Sequence, residues 1–150
     1  MVLRLPDSQM NIANFMRSQL YGAIATLKLG VDMLVEKEQV ETDRLVGHGG
    51  YFKTAGIGQQ ILADAVNAPV SVMATAGEGG AWGIALLASY LVNKEEGETL
   101  ESFLDNKVFA DQESSTLDPK PEGVAGFNAF MDSYMKGLSI ERAAVESEIW

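Results

Sequence analysis

At 150 residues, 47% hydrophobic and 21% charged, the chain is long enough for one domain with a core of its own. It has no cysteine, which excludes disulfides, thiol catalysis and thiolate metal sites. A formal charge of −10 argues against nucleic acid as a partner, because a phosphate backbone calls for a basic face.

The charge is uneven. Residues 1–94 carry 8 acidic and 7 basic side chains, whereas residues 95–150 carry 13 acidic and 4 basic. The expected organisation is therefore one domain over 1–150, with a nearly neutral α/β core over 1–94 and an acidic helical extension over 95–150. No apolar run reaches the roughly 18–20 residues of a membrane helix. The start, MVLRLPDSQM, lacks the regions of a secretory signal. These features predict a cytoplasmic protein without a membrane partner.

In chain order, Ile12, Phe15, Met16, Leu20, Ala23, Ile24, Leu27, Val31 and Leu34 recur at three- and four-residue steps, which predicts an amphipathic helix over 11–35. Asp7 or Ser8 is positioned to cap it, and Gly30 to kink or end it, with a short second helix around 31–37. Residues 44–47 read as a short buried strand running into a glycine turn. A helix over 55–67 follows, with Ile57, Ile61, Leu62, Ala65 and Val66 inward. PVSVMA, 69–74, is a second β-branched strand. TAGEGG turns the chain, and AWGIALLASYLV, 81–92, predicts a helix whose all-round apolarity points to deep burial. Beyond it come a small helix around Leu100–Leu104, a polar loop DQESSTLDPKPEG, and a final helix or helix pair over 123–148. In that last segment Phe127, Phe130, Met131, Tyr134, Met135 and Leu138 form a core stripe.

Strand–turn–helix, twice, is the rhythm of an α/β unit with a parallel strand pair. Ligands in open α/β sheets lie at the carboxyl ends of strands. Nine of the 15 glycines fall between Gly47 and Gly83, so any chemistry belongs to these turns.

From Gly47 the chain reads G-H-G-G-Y-F-K-T, one residue from the phosphate-cradling G-x-x-x-x-G-K-[ST] loop. Phe52 stands where the second glycine must let the backbone wrap a phosphate, so the match fails on sterics. Neither Gly56-x-Gly58 nor Gly77-x-Gly79 completes the dinucleotide fingerprint. What survives is a strand-to-helix turn where Gly49 and Gly50 let a flat ligand approach the backbone. Tyr51 or Phe52 offers an apolar wall there, and Lys53 an anion contact. The same residues also suit a plain tight turn. His48, the one histidine, has no partners for a metal site and reads as turn-stabilising or pocket-lining. Glu78, at a helix start, reads as a cap. Asp64 reads as an ordinary helix position, and no nucleophile–base pair is visible.

Gly49, Gly50 and Lys53, then QILADAVNAPV at 60–70, then Glu78, Gly79, Ala81, Gly83, Ala85 and Ala88, closely resemble the C-terminal domain of the FGGY family of carbohydrate kinases. NFMRSQLYG, 14–22, resembles the end of that family's second signature but departs at Gln19 and Tyr21. Arg4 and Leu5 stand where upstream glycines are expected. The resemblance implies an α/β, RNase H-like, actin-like ATPase C-terminal domain, partial, helix-rich and with a short sheet. It implies ATP with Mg²⁺ as cofactors and a sugar, a pentulose such as xylulose or ribulose, as phosphoryl acceptor. By the same resemblance Gly49 and Gly50 line adenine and ribose, with Tyr51, Phe52, Lys53 and Thr54 beside them, and Gly79 and Ala81 serve packing. The family's phosphate loops, sugar pocket and catalytic aspartate belong to a part not matched here, so the chain by itself is expected to be inactive, with an uncovered apolar face that favours a homo-oligomer. The alternative is a non-catalytic binding or assembly module that docks a partner through its acidic helices.

Overall fold

A computed structural model describes residues 2–110 and 114–148, the Glu78 side chain excepted. The chain divides into two compact units, one comprising Met1–Thr42, Ile61–Ala68 and Pro119–Trp150, the other Asp43–Gln60 and Pro69–Asp118.

The first unit is helical. Helix α1 spans Ile12–Asp32 and runs on into a π-helical turn, Met33–Lys37. Its cap is Asn11, whose side chain accepts the Asn14 N–H at 2.8 Å, rather than Asp7 or Ser8. Gly30 does not break it. Helix α5, Pro121–Glu146, starts on proline, whose missing N–H costs nothing at that position. Tyr21 of α1 meets Phe127 and Phe130 of α5, with ring centroids 4.7 and 5.3 Å apart. Phe127, Met131, Ile24 and Ala25 are buried. The rest of the α1 stripe is not, with Ile12 76% and Met16 54% exposed. Apolar periodicity marks a face able to be buried, and these residues lack a surface that covers them.

The second unit holds a three-stranded sheet in the order β1 (Leu45–Gly47), β2 (Val70–Met73), β3 (Ser114–Leu117). The first two strands are parallel, with Leu45 opposite Val70 and Gly47 opposite Val72. Strand β3 runs antiparallel to β2, with Val70 opposite Leu117 and Met73 opposite Ser114. The polar segment expected as loop thus supplies a strand. Its serines and threonine are exposed and leave no apolar alternation to see. Helix α2, Ile57–Val66, links β1 to β2. Its predicted inward residue Ile57 is half exposed, at 50%, whereas Leu62 and Ala65 are buried.

Helix α3, Gly79–Asn93, follows β2, and then come α4, Leu100–Phe103, and a π-helical turn, Leu104–Val108. Thr99 caps α4 by accepting the Ser102 N–H. Tyr90 stacks edge-on against buried Phe103 and donates to the Glu98 carbonyl at 2.7 Å. The expected deep burial of α3 is not observed, since Ile84 and Leu91 are each 71% exposed. A helix apolar on all sides reports what it would bury, and its own unit covers little of it.

Candidate functional site

The two glycine turns leave the sheet at the carboxyl ends of the parallel pair. At the end of β1, Gly49 takes φ +103°, a left-handed backbone that side chains resist, and opens a 3-10 turn over Gly50–Phe52. Its N–H donates to the Ala76 carbonyl at 2.6 Å, which ties this turn to the 3-10 turn Ala76–Glu78 after β2. Gly79, also at positive φ, lets the chain pass closely, because a β-carbon there would stand 3.4 Å from the Gly49 α-carbon. The turns therefore support each other through backbone.

The aromatic residues are seated on glycines. Phe52 lies over Gly47 and Tyr51 over Gly58, so closely that a β-carbon at either glycine would collide with the ring. Tyr51 and Phe52 themselves meet edge-on at 5.6 Å. Above Gly50, by contrast, a β-carbon would meet nothing within 4 Å, which leaves an open backbone surface. Lys53 and Thr54 are exposed beside it. The Thr54 carbonyl accepts the Ile57 N–H at the start of α2. His48 is exposed, and the Glu78 side chain lies outside the described residues.

Next to the turn is a cleft of about 420 Å³, with Phe52, Lys53 and Gly56 on one side and Val72, Met73, Ser114 and Ser115 on the other. Gln59, at its base, is 4% exposed. Its Nε2 donates to the carbonyls of Val70 at 2.8 Å and Ser115 at 2.9 Å, and its Oε1 accepts from Ser115 Oγ at 3.2 Å. Ser71 and Thr116 share a further hydroxyl bond of 2.7 Å across β2 and β3. Sequence reading does not find Gln59, since a glutamine early in a helix looks like surface. The available signal was its place one residue after Gly58, where the chain packs closely.

Asp64, an ordinary helix position by its sequence, has a specific partner in the structure. It is 8% exposed, and its carboxylate accepts the Lys120 N–H at 2.8 Å, at the start of α5. That helix has no side-chain cap from its own N-cap residue. Gly123 makes room for the carboxylate, because a β-carbon there would strike it. On α3, the Trp82 indole Nε1 is buried with no hydrogen-bond acceptor among the described residues.

A family model for the C-terminal domain of the FGGY family of carbohydrate kinases matches residues 2–92. The chain belongs to this family. Among solved structures, a ligand-bound xylulose kinase from Lactobacillus acidophilus is similar, with a TM-score of 0.58 and 19% identity over 87% of this chain and 24% of that one. The likeness is one of fold: a helix-rich part of an actin-like ATPase domain with a short sheet. The chain spans about a quarter of that kinase, 24% of its length. A comparison with curated proteins gives no match. The FGGY match ends at residue 92, so β3 and α5 lie beyond it. Among the described residues no helix is long and apolar enough to cross a membrane.

Proposed function

We propose that the chain forms the adenine-nucleotide side of a carbohydrate kinase, which transfers the γ-phosphoryl group of ATP to a sugar hydroxyl. Family membership supports the reading, and one geometric observation carries it to a site. The Gly49–Gly50 backbone lies open at the carboxyl end of a parallel strand pair, held by the Gly49–Ala76 bond.

In this reading Gly49 and Gly50 receive the flat base and ribose against bare backbone, where a side chain would stand in the way. Tyr51 and Phe52 act from below: packed on Gly58 and Gly47, they stiffen the turn. The Thr54 hydroxyl and the Lys53 ammonium stand at the rim as a hydrogen-bonding group and a cation. When bound, ATP supplies the transferable phosphoryl group, and the residues of this chain bind and orient it. Among the described residues no group of three or more His, Cys, Asp or Glu could hold a metal. Mg²⁺ is read as arriving with the nucleotide, bound to its phosphates.

The proposed acceptor is a pentulose such as xylulose or ribulose, in line with the similar fold of a xylulose kinase. Residues 1–150 are taken as one C-terminal domain, with 1–94 as the nucleotide-side core and 95–150 an acidic extension that also contributes β3. The cytoplasm is the setting such substrates suit. The base that takes the sugar hydroxyl proton is not among the residues the resemblance assigns, so these 150 residues alone should release no ADP in response to a sugar.

Calorimetric titration with ATP tests the site. Wild-type chain should bind, and Gly50→Val should not, while its fold is kept because space above Gly50 is open. Absence of binding by wild-type chain overturns the reading.

A further inference from the structure

Strand β3 stands outside the stretch matched to the family and outside every feature its sequence advertises, yet it walls the cleft beside the glycine turn. Little apolar burial holds it. Ser114, Ser115 and Thr116 are exposed, and only Leu117 is partly covered. What fixes it, apart from its ladder with β2, is polar: the Ser71–Thr116 hydroxyl pair, the two bonds between Gln59 and Ser115, and a longer bond from the Ser115 hydroxyl to the Val72 carbonyl.

Gln59 is well suited to act as a latch. It sits in the first turn of α2, directly after the turn that carries Gly49–Thr54, and is flanked by Gly58, on which Tyr51 rests. One amide reaches both neighbouring strands at once, through the Val70 carbonyl and through both the carbonyl and the hydroxyl of Ser115. Buried, it has no water to fall back on, so its loss leaves two carbonyls short of a donor.

We propose that Gln59 is a positioning residue of the nucleotide site, and that β3, latched by it, forms the second wall of that site through Ser114 and Ser115. The ligand class is an adenine nucleotide seated on Gly49–Gly50, one edge of which reaches into the adjoining cleft between Phe52 and the two serines, with Lys53 at the mouth. This rests on the functional reading above, but the latch itself is independent of it.

The test uses the whole chain in three forms: wild type, Gln59→Met, which keeps shape but removes every bond, and Ser114→Tyr, which fills the cleft from an exposed position. Hydrogen exchange should show amides of 114–117 opening at least about tenfold faster in Gln59→Met, with α5 amides unchanged. ATP affinity should fall about fivefold or more in both variants. Unchanged exchange in β3 overturns the latch. Unchanged affinity in Ser114→Tyr, with wild type binding, overturns β3 as a wall of the site. If wild type binds no nucleotide, the functional reading and the ligand assignment fall together, and the exchange data still decide the latch. Should Gln59→Met fail to fold, Ser115→Ala removes the hydroxyl's bond to Gln59 and its longer 3.5 Å bond to the Val72 carbonyl, and its β3 amides must open faster than those of wild type for the latch to stand.

Discussion

The ring of Phe52 fills the space that a β-carbon on Gly47 would occupy. The glycine at the end of β1 is thus a seat for the aromatic residue five positions later, and that residue closes the turn from below. Gly47→Ala should overpack the site and cost about 1–3 kcal/mol, read as a lowered denaturation midpoint. Gly47→Ala combined with Phe52→Leu should recover part of the loss, because the smaller side chain yields the space. Equal losses in the single and double variants would refute the seat.

Asp64 and Gly123 make a second such pair, in the helical unit. Asp64→Ala removes the acceptor of the Lys120 N–H and should cost about 1–3 kcal/mol. Asp64→Asn keeps an acceptor and should cost less. Gly123→Ala drives a methyl group into the carboxylate and should match the alanine variant. Exchange of the Lys120 amide reports the contact directly, and should quicken in Asp64→Ala but not in Asp64→Asn.

Acid should act on the acidic segment through Glu98. Its carboxylate accepts the Glu95 N–H at 2.9 Å and the Lys107 ammonium at 3.0 Å, which together hold its pKa below the ordinary value. Lys107, held by Glu95 and Glu98, is shifted upward. A lowered carboxylate stabilises above its unfolded pKa, and the benefit is lost as pH falls through the folded pKa. A raised lysine stabilises below its unfolded pKa and loses that benefit as pH rises through the folded one. The tie is therefore complete between the ordinary Glu and Lys pKa values and weakens on both flanks. Carboxyl NMR titration should place Glu98 below a model glutamate in wild type and closer to it in Lys107→Ala.

The exposed apolar side chains of α3 predict self-association of the isolated chain. Ile84, Leu87, Leu91 and Val92 lie 71%, 50%, 71% and 83% exposed, on a helix without a charged residue. Light scattering should show mass rising with concentration, and Leu87→Lys with Leu91→Lys should hold the chain monomeric. A monomer at millimolar concentration in the unmodified chain would count against this.

Elements whose pattern is local were legible in the sequence. The β-branched run at 69–74, the helical stretches over 11–35 and 123–148, and the glycine turns all announce themselves, because backbone preference and apolar period are properties of neighbouring residues. Strand β3 was not legible, since Ser-Ser-Thr-Leu is fixed by partners on β2 and by Gln59, 56 residues away. Asp64 was missed for the same reason: its partner Lys120 is also 56 positions distant. The burial of α3 was misjudged because hydropathy measures a preference for leaving water and says nothing of whether a covering surface exists. At the glycine turn, composition located the bend in the chain, while the packing of Tyr51 and Phe52 on Gly58 and Gly47 required coordinates.

The buried indole Nε1 of Trp82, without an acceptor among the described residues, has an optical consequence. An indole whose nitrogen is shielded and makes no hydrogen bond emits at shorter wavelength than a hydrated one, and the emission reddens when water or a polar group reaches the nitrogen. Trp82 stands in the first turn of α3, three residues after Gly79, whose backbone abuts Gly49. One of the chain's two tryptophans thus stands one step from the glycine turn, and Trp150→Phe isolates its emission. Occupancy or loosening of that turn should be readable as a colour change from unlabelled protein.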